Sequence, residues 1–215
     1  MTDIDNMSDD ELDAYLARRD SPKKAAPGAL EYGWTLIIAG FLGGFASLQL
    51  LLSQRALEAD PYANLSCDVN ELLACSTFLT SWEGSLLGFS NSYLGLAGFG
   101  GMMLLGIYLL IKRSLPTVMW VAMSAATVLA FLFLLWFQYT SFFEAGTLCP
   151  WCLVIWAALI PFITHTAGQA HANLSNNGSV VWRMRWPIII IWVAIIALFA
   201  FFYFYYTWAY ELGWS

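Results

Sequence analysis

Five long apolar segments constrain this chain more than any other feature. They are residues 34–52, 93–111, 115–137, 149–164 and 187–206, and the four longer ones contain no Asp, Glu, Lys or Arg. About 20 apolar residues in a helix cross the hydrocarbon core of a bilayer, where every backbone N–H and C=O must be paired within the segment. The sequence therefore predicts an all-α integral membrane protein with five spanning helices.

The polar stretches divide the chain around these segments. Residues 1–29 hold seven of the fifteen carboxylates and predict a disordered acidic tail, because they can bury little apolar surface. Residues 30–166 predict a four-helix bundle with a long loop at 53–92. Residues 167–186 predict a further loop, and 187–215 a fifth spanning helix with a short tail. Since nothing before Trp34 resembles a secretory signal peptide, we expect the first span to stay in the mature protein.

The basic residues indicate the orientation of the spans. Loops that remain in the cytoplasm carry an excess of Lys and Arg, and eight of the nine basic residues lie at the same set of span ends. Only Arg55 lies at the other set. We therefore expect the N-terminus and the loop at 167–186 to be cytoplasmic, and the loops at 53–92 and 138–148 to face outward.

All four cysteines lie on the predicted outer side. Cys67 and Cys75 belong to the loop at 53–92, whereas Cys149 and Cys152 lie at the mouth of the fourth span. Cysteine that serves as a small hydrophobic residue can lie at any depth in a membrane protein. The placement of all four at the oxidising side therefore indicates thiol chemistry.

The segment Cys149-Pro150-Trp151-Cys152 is a C-x-x-C motif at the start of a helix. Unpaired N–H groups and the helix dipole stabilise a thiolate there, so we expect Cys149 to be the more acidic thiol. The same spacing also occurs in zinc and thioredoxin-type sites. A thioredoxin site needs a soluble βαβ pattern, and a zinc site would have to gather all four cysteines around the metal, so we expect no metal here.

The other pair, Cys67 and Cys75, allows two interpretations. As a structural staple, a bridge over so short a loop would contribute a few kcal/mol at most. As a redox pair, it would exchange with the C-x-x-C motif, which requires a mobile pair that reaches a fixed one. We favour exchange. A non-enzymatic membrane scaffold or transporter subunit with structural outer disulfides remains the alternative.

The order of these features resembles the vitamin K epoxide reductase family in its bacterial form. The matching elements follow the family's order along roughly residues 34–164, namely Cys67-x7-Cys75, Ser81, Phe89-Ser90-Asn91-Ser92, Tyr93-Leu94-Gly95 and Cys149-Pro150-Trp151-Cys152. The resemblance implies a four-helix bundle around a quinone, with Cys149 and Cys152 as the active-site pair and Cys67 and Cys75 as the relay.

The resemblance also implies a function, the reoxidation of a thioredoxin-fold thiol oxidase at the bacterial plasma membrane. Electrons would pass from that partner to Cys67, Cys75 would form a bridge to Cys149, and Cys152 would reduce a membrane quinone, with menaquinone favoured over ubiquinone. We expect the partner to be a separate secreted or periplasmic protein, because the chain ends at Ser215, just past the fifth span. No nucleic-acid partner is expected.

Three further residues are candidates for contact with the quinone. The resemblance implies that Asn91 donates a hydrogen bond to a quinone carbonyl and that Ser81 lies near the site. Trp156 lies one helical turn beyond Cys152, so its ring is placed to line the pocket. Each has a structural alternative: Ser90 or Asn91 as a cap of the second span, Ser81 as an ordinary loop residue, and Trp156 as a packing residue.

Two other electron carriers fit the sequence less well. An unrelated bacterial quinone-linked disulfide oxidase has its C-x-x-C pair in the first outer loop and its wider pair in the second, the reverse of the order here. A haem protein needs axial ligands, but His165 and His171 are six residues apart and do not share one side of a helix. We expect both histidines near the inner membrane face, in an interfacial or loop position.

Overall fold

Five spanning helices make up most of the fold. The computed structural model describes residues 8–11, 13, 23–24, 28–70, 72–86, 88–175 and 180–211. Its long helices are α1 (Ala29–Ala59), α2 (Asn91–Lys112), α3 (Thr117–Tyr139), α4 (Pro150–Ser175) and α5 (Arg185–Tyr203), and all five are long and apolar enough to cross a membrane. The predicted all-α membrane protein with five spans is confirmed.

Two helices run beyond the apolar segments that predicted them. Helix α1 begins at Ala29 and ends at Ala59, so its last two turns contain Arg55 and Glu58. Helix α4 continues past residue 164 to Ser175. The absence of charge marks the part of a helix that lies in lipid, but long polar side chains are good helix formers and let the helix continue into water.

The predicted loop at 167–186 is wrong for most of its length. Helix α4 occupies residues 167–175, a short helix follows at Val180–Arg183, and α5 begins at Arg185. Residues 176–179 lie outside the described part of the chain. Polar side chains in this stretch are buried, since Gln169 and Asn173 both pack inside the protein.

His165 does not lie in a loop, one of the two positions expected for it, but within helix α4. Its side chain is completely buried on α4, with Nδ1 2.9 Å from the carbonyl oxygen of Pro161. Its ring packs edge-on against Trp182 and Trp186, at 5.5 and 5.6 Å between centroids. Beside it, Glu31 of α1 accepts two hydrogen bonds from Arg185 of α5, at 2.9 and 2.7 Å. This cluster joins α1, α4 and α5 at the end of the bundle opposite the cysteines.

Most of the predicted disordered tail at 1–29 lies outside the described residues. The structure describes residues 8–11, 13, 23–24 and 28–29 of it. Ser8 and Glu11 form reciprocal hydrogen bonds of 3.2 to 3.4 Å, the arrangement of a capping box. The strand Lys23–Lys24 pairs antiparallel with Ser114–Leu115, which lies between α2 and α3. The tail is therefore attached to the bundle at this pair.

Glycines allow α1 and α2 to pack with their backbones in contact. A Cβ atom at Gly40 would lie 2.8 Å from the backbone N of Met103, and one at Gly106 would lie 2.9 Å from the carbonyl oxygen of Gly33. Helices in lipid associate largely through such close packing. Helix α1 also packs on α4, which in turn contacts α3 and α5. Helix α4 is therefore the element on which the cysteine end and the rest of the bundle both depend.

The glycine contact predicts a difference between two substitutions on α2. Gly106→Ala should lower the free energy of unfolding by about 1–3 kcal/mol, because the new methyl group would overlap α1. Gly101→Ala is the matched control, since a Cβ there meets nothing within 4 Å. Its helix propensity should leave stability equal or slightly higher. Thermal unfolding in detergent micelles measures both, and equal midpoints would contradict the packing argument.

Candidate thiol–disulfide site

The four cysteines lie together in one apolar cluster. Cys67 and Cys75 form a disulfide with their Cα atoms 5.7 Å apart, whereas Cys149 and Cys152 are free thiols. Each of the four side chains is at most 5% exposed. Leu50, Leu65 and Phe78 complete the buried part of the cluster. The two pairs lie at least 74 residues apart in the sequence and yet share one environment.

A short backbone pairing brings the two pairs together. Leu73 forms a parallel bridge with Leu148; the N–H of Ala74 donates to the Leu148 carbonyl at 3.1 Å, and the N–H of Leu148 donates to the Leu72 carbonyl at 2.7 Å. The next residue after each paired segment is a cysteine. As a result, Sγ of Cys149 lies 3.4 Å from Sγ of Cys75.

Polar side chains fix the shape of the loop that carries Cys75. Oδ1 of Asp68 accepts hydrogen bonds from the backbone N–H of Cys75 at 2.6 Å and of Ser76 at 3.1 Å. Oδ1 of Asn70 accepts from the N–H of Leu72 at 3.1 Å and of Leu73 at 2.8 Å. Short Asp and Asn side chains often satisfy backbone donors in this way within turns. The loop therefore presents Cys75 in a defined position.

The helix that follows Cys75 also attaches the loop to the bundle. This helix, Ser76–Leu79, carries Phe78, whose ring lies 5.4 Å from that of Phe137 on α3. Phe78 is almost completely buried. The apolar contact and the backbone pairing at Leu148 thus hold the loop at two points on either side of Cys75.

Cys149 lies at the junction between a π-helix and α4. The π-helix Thr140–Ala145 continues α3, and Gly146 leaves it with a φ of 62°, in the left-handed region that favours glycine. Helix α4 begins at Pro150, where a missing N–H costs nothing. The N–H of Cys152 points back to Sγ of Cys149 at 3.4 Å. Cys149 therefore holds the capping position of α4.

This position lowers the pKa of Cys149. The hydrogen bond from the Cys152 thiol is the largest cause, and the backbone N–H groups of Cys152 and Trp151 act in the same direction. Burial and the negative charge of Asp68 oppose them and raise the pKa of Cys149, but with a smaller combined effect. The direction agrees with the acidic thiol that the start of a helix predicts.

The arrangement is suited to thiol–disulfide exchange. A thiolate on Cys149 that attacks Sγ of Cys75 forms a Cys75–Cys149 bond, breaks the Cys67–Cys75 bond and leaves Cys67 as the thiolate. The same steps run in reverse. A purely structural disulfide needs no free thiol in contact with it, whereas this one touches Cys149.

Asn91 and Ser81 engage the backbone of the loop before α2. Nδ2 of Asn91 donates to the carbonyl of Glu83 at 2.6 Å, and its Oδ1 accepts from the N–H of Leu86 at 3.3 Å. Ser90 caps α2, because its Oγ accepts from the N–H of Ser92. Oγ of Ser81 donates to the carbonyl of Phe78 at 3.1 Å. Both candidate residues therefore help to shape the loop, and their contact with a quinone stays a prediction.

Trp156 lies inside the bundle, only 4% exposed. Its ring centroid lies 6.2 Å from that of Phe142 in the π-helix. Trp156 belongs to the large apolar core that also contains Leu159 and Ile160. The packing role that the sequence left open is thus observed, and the quinone role stays a prediction.

Within the described residues, one group has the spacing of a metal site. Ligand atoms of Cys67, Asp68 and Cys75 lie within 4.8 Å of one another. The two sulfurs are bonded to each other, so neither is a thiolate ligand in this state. The group also excludes Cys149 and Cys152, and it is therefore not the four-cysteine site that a zinc interpretation required.

Sequence reasoning missed two parts of the site. Asp68 follows Cys67 directly and accepts the N–H of Cys75, a role that an Asp in a cysteine-bearing turn can suggest. The pairing of Leu148 with the loop left no sequence signal, because both partners contribute only backbone atoms.

Removal of the Asp68 carboxylate should weaken the contact between the two pairs. In a Cys67→Ala, Cys152→Ala background, Cys75 and Cys149 alone can form a disulfide, and its equilibrium with glutathione measures their proximity. Asp68→Ala should reduce it by roughly tenfold, since hydrogen bonds to a charged acceptor contribute about 1.5–3 kcal/mol. Asp68→Asn keeps an acceptor oxygen, so its disulfide equilibrium should lie between that of the parent protein and that of Asp68→Ala. Asp60→Ala is the control and should change little, because the Asp60 carboxylate accepts the N–H of Tyr62 at the end of α1.

The pKa of Cys149 should depend on Cys152. A lowered pKa means that the Cys149 thiolate appears at a lower pH than for an ordinary cysteine, so alkylation of Cys149 should begin to accelerate there. Cys152→Ala removes the largest cause and should move that rise to higher pH. Alkylation followed by mass spectrometry in a Cys67→Ala, Cys75→Ala background measures it. An unchanged pH profile would show that Cys152 does not stabilise the thiolate.

Comparison with known proteins agrees with this geometry. The family model for the vitamin K epoxide reductase family matches residues 34–167, more than half of the chain, and this match includes all four cysteines, the whole of α2 and α3 and most of α1 and α4. No curated protein matches the chain. Five apolar helices, a disulfide and a free thiol in contact with it are what a membrane enzyme of thiol exchange requires. The chain therefore belongs to the vitamin K epoxide reductase family and is a membrane thiol–disulfide oxidoreductase.

Proposed function

We propose that the protein reoxidises a thioredoxin-fold thiol oxidase on the outer face of the bacterial plasma membrane and passes the electrons to a membrane quinone. The observation that carries this proposal is the 3.4 Å contact between Cys149 Sγ and Cys75 Sγ. That contact supports electron transfer between a loop pair and a helix pair through direct exchange of disulfides. The proposal assigns the relay to Cys67 and Cys75 and the active-site pair to Cys149 and Cys152.

The first step takes place at Cys67. A thiolate of the partner attacks the Cys67 sulfur, which forms a mixed disulfide and releases Cys75 as a thiolate; the partner's second thiol then displaces Cys67. The partner leaves oxidised and both loop cysteines are reduced. Because Cys67 is only 4% exposed, the partner must displace part of the loop to reach it.

The second step moves the electron pair inward. The Cys75 thiolate attacks Cys149 of an oxidised Cys149–Cys152 pair and releases Cys152 as a thiolate, and Cys67 then attacks Cys75. The products are a Cys67–Cys75 disulfide and two thiols at Cys149 and Cys152. This is the redox state of the structure, which therefore corresponds to the enzyme just before it delivers electrons.

The surroundings of Cys152 fit a quinone. Cys152 shares an apolar cluster with Leu50, Phe78 and Phe137, which suits a flat apolar ring. In the described part of the chain, Ser47 one helical turn before Leu50 and Gln138 directly after Phe137 have buried polar atoms without a hydrogen-bond partner, which can donate to carbonyl groups. A quinone held here would supply an acceptor for the two electrons and two protons that the Cys149 and Cys152 thiols lose when they close to a disulfide. Cys152 would be the thiol next to the ring, and Cys149 would form the disulfide with it.

The remaining assignments follow from the family and the charge pattern. Asn91, Ser81 and Trp156 are proposed to border the quinone, which we take to be menaquinone, since the resemblance is to bacterial members. The basic residues at one set of span ends support a cytoplasmic N-terminus and outward-facing cysteines. The non-enzymatic scaffold loses its support, because the chain belongs to a family of oxidoreductases.

The decisive experiment supplies purified protein with a reduced thioredoxin-fold protein and a soluble quinone, and it follows quinol formation. Cys152→Ala should abolish quinol formation with every reductant. Cys67→Ala should block electron transfer from the protein partner but spare transfer from a small dithiol, which can reduce the Cys149–Cys152 disulfide directly. Menaquinone and ubiquinone analogues are compared in parallel.

Two outcomes would contradict the proposal. Equal loss of activity with both reductants in Cys67→Ala would remove the division between relay and active-site pair. Full quinol formation by Cys152→Ala would remove the proposed link between this thiol and the quinone. Ser66→Ala is the control for damage to the loop, because it changes the residue next to Cys67 and leaves all four cysteines in place. It should retain activity with both reductants.

A further inference from the structure

Helix α5 lies outside the residues matched by the family model, yet it packs against the segment that leads to Cys149. The contact centres on Phe142 of the π-helix, which is 5% exposed. Its ring centroid lies 5.0 Å from Phe199, 6.2 Å from Tyr203 and 6.0 Å from Phe204. We call these four residues the aromatic cluster. On its other side, Phe142 contacts Trp156, one turn beyond Cys152.

The opposite end of α5 is fixed independently. Arg185 donates two hydrogen bonds to Glu31 of α1 and a third, of 2.6 Å, to the carbonyl of Trp182. The guanidinium of Arg185 also lies 4.3 Å from the centre of the Trp182 ring. The backbone of Trp182 lies so close to Gly168 of α4 that a Cβ there would be 2.9 Å from its nitrogen. These contacts prevent α5 from shifting along α1 and α4, and they therefore fix the position of the aromatic cluster along the length of the bundle.

The chain between the aromatic cluster and the cysteines is short. Phe142 is followed by the end of the π-helix at Ala145, by Gly146, and then by Leu148, whose N–H and C=O hold the loop of Cys75. A shift of the π-helix would therefore move Leu148 directly. Proteins use π-helices mostly as local features near functional sites, where their geometry is less favourable than that of an α-helix and needs support.

We propose that α5, through the aromatic cluster, positions the π-helix so that Leu148 can pair with the loop and Cys149 can reach Cys75. Phe142 and Phe204 are positioning residues in this assignment, and neither touches a reacting sulfur. The inference rests on the proposed exchange between the two cysteine pairs, but it needs neither the identity of the thiol partner nor that of the quinone.

The test measures the equilibrium between the Cys75–Cys149 disulfide and glutathione in the full chain with Cys67→Ala and Cys152→Ala. Phe204→Ala should lower the effective concentration of Cys149 at Cys75 by about tenfold, because it removes the ring contact that Phe204 makes with Phe142. Phe202→Ala is the matched control, because it removes a side chain of the same type two residues earlier in the sequence. The Phe202 side chain is 69% exposed. Phe202→Ala should leave the equilibrium unchanged.

A second variant separates positioning from loss of fold. Phe142→Leu keeps an apolar side chain in the core but removes the ring, and it should lower the effective concentration in the same direction while the thermal midpoint in detergent changes little. An unchanged equilibrium in both Phe204→Ala and Phe142→Leu would overturn the inference, and so would an equal fall in Phe202→Ala. Because the assay contains no partner and no quinone, a failure of the proposed electron acceptor would leave its result unaffected.

Discussion

The pairing of Leu148 with the loop before Cys75 is the interaction on which the chemistry depends. Two backbone hydrogen bonds place the residues before Cys75 and Cys149 side by side, and the sulfur contact follows from them. Each such bond contributes only about 0.5–1.5 kcal/mol. The pairing is therefore specific enough to align two sulfurs and weak enough to open without disrupting the bundle.

The rest of the bundle supports this pairing from both sides. Helix α4 carries Cys149 at its capping position and packs on α1, which glycines keep close to α2. The shape of the loop is set locally, because the side chains of Asp68 and Asn70 accept hydrogen bonds from backbone N–H groups of the loop, including that of Cys75. A rigid helix thus meets a loop whose shape is set locally, an arrangement that permits exchange without large rearrangement of the bundle.

The sequence predicted the five spans and the grouping of the cysteines because both depend on composition. Charge is excluded from lipid, and cysteines at one set of span ends have few uses besides thiol chemistry. It did not predict the full length of α4 or the burial of His165, since polar residues that face the protein interior look the same in sequence as residues in a loop. For Asn91, the family resemblance implied a hydrogen bond to a quinone carbonyl, but its present partners are backbone atoms of a loop whose path depends on tertiary packing.

The π-helix before Cys149 has a geometric consequence for the length of this segment. One residue advances an α-helix by about 100° and 1.5 Å, so the number of residues between α3 and Cys149 determines the angular direction in which Leu148 leaves the bundle as well as its height. The π-helix Thr140–Ala145 has wider turns than an α-helix, and with them the number of residues before Cys149 directs Leu148 toward the loop. Insertions and deletions here would therefore rotate Leu148 about the helix axis, whereas the same changes in an exposed loop would alter only the path of that loop.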